Sequence, residues 1–197
     1  MSNPNFKNYL TSNLNLEDKD IAAVLEHCQV KEVKKDQFLL RQNERCKNTF
    51  FVENGLLRQY AVDSKGKEHT ISFAPENWLV SDRESLYFDK PSAYSIQALE
   101  DSKVVIMDEE FMELLSEKIP SFVEFNNKLL HHHIRHLQER IKQLLSATAE
   151  ERYVDFIEMY PDILQRVSQT MIASYLGITP ESLSRVRKEL AKKYYKK

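Results

Sequence analysis

At 197 residues the chain is long enough for one large domain or two small ones, and its 42% hydrophobic and 29% charged residues, with a formal net charge of −2, exclude a disordered polyelectrolyte. No apolar run approaches the ~18 residues of a membrane-spanning helix, and Met1-Ser2-Asn3-Pro4-Asn5 lacks the basic-then-apolar pattern of a signal peptide. Two scattered cysteines, Cys28 and Cys46, form no CxxC pair and suggest a reducing cytoplasm rather than a disulfide framework.

In chain order, Glu17 to His27 reads as a short amphipathic helix with Ile21, Val24 and Leu25 on one face. Short β-like runs follow. Val30 to Val33 alternates, Phe38 to Leu40 is apolar, and Thr49 to Val52 runs into Glu53-Asn54-Gly55. Asn-Gly is a strong hairpin signal, because both central positions tolerate positive φ. Leu56 to Val62 leads to a second turn at Asp63-Ser64-Lys65-Gly66, then to His69–Phe73, which Pro75-Glu76-Asn77 interrupts. Ser92 to Leu99 and Lys103 to Met107 predict two more strands around a turn at Glu100-Asp101. Short strands at this spacing predict a compact barrel or jelly-roll-like sandwich. Asp108 is placed to cap a following helix with Phe111, Leu114 and Leu115 as its apolar stripe.

From Ser121 to Ala147 the periodicity is clearest. Val123, Asn127, Leu130, Ile134, Leu137, Ile141 and Leu144 are spaced 4, 3, 4, 3, 4, 3, a heptad seam. Ile134 and Ile141 fall at a, and Leu130, Leu137 and Leu144 at d, a combination that favours two parallel strands; Asn127 at a would fix register. The seam either pairs with a second copy or packs on the chain's own β-domain.

Glu151 to Tyr160 has a helical pattern with Val154, Ile157 and Phe156 inward, ended by Pro161-Asp162. Beyond it, Met171-Ile172-Ala173 and Leu176 form the apolar face of one short helix, and Gly177 stands where that helix must end in positive φ. Ile178 plugs the angle, Thr179 caps a second helix, and Pro180 takes its first position, where a missing N–H is harmless. Leu183, Val186 and Leu190 form that helix's buried stripe; Ser182, Ser184, Arg185 and Lys188 face outward. This is the pattern of a helix-turn-helix whose second helix enters a major groove, the competing reading being an ordinary helical hairpin. Arg185 suits guanine O6 and N7, and Glu181 suits cytosine N4. Arg187, Lys188, Lys192 and Lys193 are suited to phosphates. Seven basic residues against two acidic ones between Ile178 and Lys197 agree with a polyanionic partner or with a solvated basic tail.

The order of these elements resembles the Crp/Fnr superfamily over nearly the whole chain, and Ile172 to Arg187 carries the best local match. The resemblance implies an α+β fold: an N-terminal double-stranded β-helix, a jelly-roll-like β-roll sensor, over 1–120; a long dimerisation helix over 121–147; and a C-terminal helix-turn-helix domain over 148–197. It implies a homodimeric, cytoplasmic transcription regulator that reads a near-palindromic DNA site through Thr179, Glu181, Ser182, Ser184, Arg185 and Lys188. Its dimer interface would be Leu130, Ile134, Leu137, Ile141 and Leu144. The family often has Arg where Pro180 stands, and its wing hairpin is expected to be reduced, absent or replaced by Tyr194-Tyr195-Lys196-Lys197.

Cyclic-AMP-binding members carry a Gly-Glu pair and an Arg-Ser/Thr-Ala run. The matching stretches here are Leu79-Val80-Ser81-Asp82-Arg83-Glu84 and Pro91-Ser92-Ala93, so the Gly is missing and Pro91 replaces the phosphate-pairing Arg. A buried phosphate without its cation is strongly disfavoured. Cyclic AMP is therefore not expected, and Ser81, Asp82, Arg83, Glu84, Ser92 and Ala93 are left as candidates for an unknown acidic effector. Two cysteines cannot ligate an iron–sulfur cluster, and no cofactor is expected.

Other constellations are weaker. His131-His132-His133 cannot chelate together, since successive helical residues point ~100° apart. His132 or His133 with His136 supplies two ligands and no third, so no metal is expected; an interface pH response is the better reading. Trp78 reads as a core aromatic, and Cys46, between Arg45 and Lys47, as a loop cysteine rather than a redox sensor. With three glycines and no GxGxxG, P-loop or GxSxG, the chain is not expected to be an enzyme. The rival to a DNA-binding regulator is a ligand-sensing or protein-interaction module of the same fold that has lost DNA binding.

Overall fold

The computed structural model describes residues 3–14 and 18–194. Contacts divide the chain into two compact units: Met1–Lys67 with Ile71–Leu130, and His131–Lys197 with Glu68–Thr70.

The first unit holds two four-stranded antiparallel sheets. One has the order β1 (Gln29–Val33), β8 (Ser102–Met107), β3 (Thr49–Asn54), β6 (Leu79–Val80); the other has β2 (Phe38–Leu40), β7 (Ser95–Ala98), β4 (Leu57–Val62), β5 (Glu68–Ala74). Both supply one core, in which Val33, Phe50, Val52 and Val104 meet Leu40, Leu57, Ile96 and Ala98. This is the expected β-roll. Trp78 packs against that core, partly buried.

The run Phe50-Phe51-Val52 is apolar throughout because β3 is covered on both faces. Phe50 and Val52 point into the roll. Phe51 and Val105 point the other way, into a second cluster with helices α1 (Pro4–Asn13), α2 (Asp18–Glu26) and α4 (Glu109–Lys118). Ile21 and Val24 are the buried face of α2, as its pattern predicts, and the Asp108 side chain accepts from Phe111 N–H at the start of α4. Glu17 lies outside the described residues.

Sequence patterning missed α1. Its buried residues are Phe6 and Leu10, and Glu53 anchors it from β3: Oε1 accepts from Asn5 N–H (3.0 Å) and Oε2 from Phe6 N–H (2.9 Å). A side chain 47 residues away thus supplies the acceptor that a helix N-terminus needs.

One strand connection differs from expectation. β3 and β4 belong to different sheets, so Asn54-Gly55 does not close a hairpin between them; the chain crosses from one sheet to the other. Gly55 is needed there twice over. Its φ is +98°, and a Cβ would lie 2.3 Å from Ser102 Oγ and 2.7 Å from Ser102 Cα. The strands flanking Glu100-Asp101, β7 and β8, are likewise in separate sheets. The β4–β5 turn is a true hairpin, closed by Asp63 N–H to Lys67 O and Gly66 N–H to Asp63 O, both 3.0 Å. A short helix, α3 (Arg83–Phe88), occupies a segment that had no predicted element.

A single 25-residue helix, α5 (Phe122–Ser146), follows, matching the predicted long helix to within a residue at each end. The second unit adds α6 (Ala149–Met159), α7 (Ile163–Arg166), α8 (Gln169–Leu176) and α9 (Pro180–Tyr194). Thr148 and Glu151 form a reciprocal capping box at the start of α6. The inward face of α6 is Tyr153 and Phe156, followed by Tyr160; Val154 and Ile157 are only half-buried, a correction to the predicted stripe. The reason is an aromatic cluster: Phe156, Tyr160 and Tyr175 hold their ring centroids 5.2–5.9 Å apart. No helix among the described residues is long and apolar enough to cross a membrane.

Candidate nucleic-acid interface and sensor cassette

The helix-turn-helix is built as its residues require. Ser168 caps α8, its side chain accepting from Met171 N–H (3.2 Å). Gly177 ends the helix at φ 67°, ψ 34°, while Ile178 N–H returns to Ala173 O (3.0 Å). That pair of features satisfies carbonyls the helix end would otherwise leave open. Thr179 Oγ1 accepts from Ser182 N–H (3.2 Å) at the start of α9.

On α9, Leu183, Val186 and Leu190 are buried at 0%, 7% and 9% exposure, which fixes the opposite face outward. Thr179, Glu181, Ser184, Arg185, Arg187 and Lys188 are exposed, and Ser182 is half-buried. The Glu181 carboxyl is held below the usual carboxylate range by its own backbone N–H and by the Thr179 hydroxyl, so at neutral pH it is an acceptor only. Lys193, one of the expected phosphate contacts, sits 2.5 Å from Glu150. Residues 195–197 of the basic tail lie outside the described residues.

On α5, Ile134, Leu137, Ile141 and Leu144 are 41%, 41%, 57% and 44% exposed, and Val123 is 61% exposed. Leu130 is half-buried. The apolar seam from Ile134 to Leu144 is therefore open within its own unit. An aliphatic row on a helix, open over about three turns, is the kind of face that a second helix covers. The His136 imidazole on the same helix is pushed down by burial and by Arg140, which favours its neutral form at neutral pH. Among the described residues, no three His, Cys, Asp or Glu side chains converge as metal ligands.

In the β-roll, the candidate ligand residues meet in an unexpected way. Asp82 is 3% exposed and caps α3, Oδ1 accepting from Glu84 N–H (3.0 Å) and Ser85 N–H (3.2 Å). Its Oδ2 accepts from the Ser92 hydroxyl (2.6 Å), and Ser92 is 1% exposed. Two helix N–H groups and a serine hydroxyl are the donors an anionic ligand would recruit here; all three already hold a carboxylate. Ser81 accepts through its carbonyl from Gln59 Nε2 (3.1 Å). Glu84 pairs with Lys90 at the surface (2.9 Å), and Ala93 is exposed. Arg83 leaves this cluster: its guanidinium lies 5.1 Å from the Tyr87 ring centroid, and both line an open groove of ≈ 590 Å³ with Val123, Asn127 and Leu130.

Burial pushes the Cys28 thiol up to about 12 and raises the Cys46 thiol too. Cys46 is 5% exposed, and its neighbour Arg45 pairs with Asp89. Neither thiol has the exposed, cation-activated setting of a redox sensor.

Residues 30–118 match the family model of the cyclic nucleotide-binding domain. Beyond that segment the chain is similar to regulators of the Fnr and Anr type and, in fold, to a structure described as of the Crp/Fnr family. The "Anaerobic regulatory protein" of Pasteurella multocida is 28% identical over 82% of this chain and 63% of its own length. "Transcriptional activator protein anr" of Pseudomonas aeruginosa is 28% identical over 78% of this chain and 67% of its own length. The chain thus spans less than two thirds of the length of relatives such as the Pasteurella protein, at 63%. In fold it is similar to FixK2 from Bradyrhizobium japonicum (TM-score 0.67, 21% identity, 84% of this chain and 85% of that one). It is also similar to a mutant CooA from Carboxydothermus hydrogenoformans (TM-score 0.70, 21% identity, 93% and 84%).

Proposed function

We propose that this chain is a homodimeric, sequence-specific DNA-binding transcription regulator acting in the cytoplasm. The observation that carries the reading is α9: its apolar stripe is fully used inside the unit, and its opposite face presents Thr179, Glu181, Ser182, Ser184, Arg185 and Lys188. Arg185 reads guanine through two N–H groups, Glu181 accepts from cytosine N4, and Lys188 with Arg187 holds phosphates. Leu130, Ile134, Leu137, Ile141 and Leu144 of α5 join two copies, whose recognition helices meet successive major grooves about 34–36 Å apart. The regulatory names of the relatives support this reading.

The sensor's effector is not cyclic AMP. Pro91 stands in place of the cation that would pair with the phosphate, and Asp82 consumes the Glu84 and Ser85 N–H groups and the Ser92 hydroxyl that an anion would need. Any small-molecule effector would have to act without displacing that carboxylate.

Selection from random duplexes followed by gel shift tests the function directly. A near-palindromic site bound with strong salt dependence is expected. No enriched sequence, together with salt-independent or absent binding, rejects the reading.

A further inference from the structure

The C-terminal end of α8 is held from outside the helix-turn-helix. Gly177 and Ile178 N–H groups serve the carbonyls of Ser174 and Ala173. The last two carbonyls of α8 need other donors. That of Leu176 would ordinarily accept from the residue four positions on, but this is Pro180, which has no N–H. Two arginines supply the donors. Arg152 of α6 donates through Nη1 to Leu176 O (2.7 Å). Arg140 of α5 donates through Nη2 to Tyr175 O and lays its guanidinium over the Tyr175 ring, 3.7 Å from the centroid.

Placing two guanidinium groups side by side, partly out of water, is unfavourable unless something specific receives them. Burial and the nearby Arg152 both push the Arg140 pKa down. What receives them is the negative end of the α8 dipole and the face of an aromatic ring. α5 touches the turn a second time, one helical turn further on: a Cβ at Gly177 would lie 3.3 Å from Leu144 Cδ2. Leu144 is a d residue of the seam, and Arg140 precedes Ile141, so it falls at g, flanking the seam.

We propose that Arg140 is a positioning residue that ties the turn before the recognition helix to the dimer helix, so that pairing of α5 with a second copy sets how α9 is presented. The inference rests on the DNA-binding reading above. Its mechanism is local. The stretch Leu137–Leu144 carries both the seam and the two α5 contacts to the turn, so a shift of this stretch on pairing reaches Tyr175 and Gly177 directly.

The test uses the full chain with Arg140→Met, which keeps the apolar stem and removes the fork, and Arg140→Lys, which keeps the charge without the planar stack. Three properties are read: dimer mass by sedimentation, hydrogen exchange at the Gly177 and Ile178 amides, and affinity for the selected DNA site. For Arg140→Met we expect an unchanged dimer, exchange at those amides at least tenfold faster, and DNA affinity at least tenfold weaker; Arg140→Lys restores neither fully. Wild-type exchange overturns the proposal, and so does faster exchange with unchanged affinity, or loss of the dimer with the turn still protected. If Arg140→Met does not fold, Arg140→Lys decides on the same readouts. If the wild-type chain selects no DNA, the DNA-binding reading fails alone, because the exchange measurement still reports whether Arg140 holds the turn.

Discussion

Ile141→Ala is the sharpest probe of the seam. Ile141 is 57% exposed in the single chain, the most open of the aliphatic residues from Ile134 to Leu144 that make the stripe. Full burial of such a side chain is worth about 1.5–3 kcal/mol. Covering the exposed fraction is then worth about 1–1.5 kcal/mol per chain by the same area reckoning. In a two-fold dimer the residue enters twice. The substitution is expected to weaken association by about 2–3 kcal/mol, roughly 30–150-fold in dimer Kd. The folded monomer should be unaffected or slightly more soluble, since an exposed residue is being trimmed. Sedimentation equilibrium over a concentration series measures the constant. Lys142→Ala, one residue along and paired with Glu139 at the surface, is the control and should change it by less than about 0.5 kcal/mol. A dimer constant for Ile141→Ala equal to that of the wild type would sink the seam, as would a wild-type chain that stays monomeric where it binds DNA.

Arg185→Ala is expected to lose about 1–3 kcal/mol on the selected site and to relax one base position, whereas Lys188→Ala weakens all duplexes alike and lowers the salt slope by about one; binding-site selection with each variant separates the two. Asp82→Ala removes a helix cap and one of the bonds of the buried Ser92 hydroxyl, which keeps Tyr94 as a partner, so stability should fall by about 1–3 kcal/mol in denaturant titration. Cyclic AMP at about 1 mM should not shift the wild-type melting temperature, and a rise of several degrees would show the cassette open to phosphate. Gly55→Ala, which forces a Cβ onto Ser102 at positive φ, should destabilise the roll by about 2–5 kcal/mol. With its pKa pushed to about 12, Cys28 is a thiolate only to about one part in ten thousand at pH 8. Because the folded chain holds that proton more tightly than the unfolded one, Cys28's contribution is intact below about pH 9 and is lost as pH rises toward 12. Disulfide-exchange reagents should label it slowly in the native protein and fully on unfolding.

The β-roll was legible as a set of strands but not as a topology. Alternation and turn residues located β1 to β5, β7 and β8 because each strand's burial is written in its own side chains. Which sheet a strand joins is not. Asn54-Gly55 has the composition of a hairpin turn, and only the approach of Ser102, 47 positions on, shows that the glycine serves a crossover between sheets. α1 was missed for the same reason: its acceptor, Glu53, is distant in sequence, and its own pattern of Phe6 and Leu10 is too short to stand out. The long helix and the helix-turn-helix were legible because their signals are local, a heptad for one and Gly177 with Thr179-Pro180 for the other.

The same locality explains what the sequence hid at the candidate sites. In the sequence Asp82 is one of several ligand candidates, because the residues that occupy it, Glu84, Ser85 and Ser92, become its partners only once α3 forms. A cap residue at the mouth of a short helix is a weak signal without a predicted helix behind it. Arg140 had a signal that could have been followed. Pro180 is favourable for α9, since the first helical position needs no N–H, but it deprives the Leu176 carbonyl of its usual donor. Any helix that ends four residues before a proline with its last turn buried must import a donor, and on this chain the long side chains able to reach are arginines on the neighbouring helices. The residue that opens the recognition helix therefore also dictates that something outside the helix-turn-helix must hold its turn, and Arg152 and Arg140 are what α6 and α5 provide.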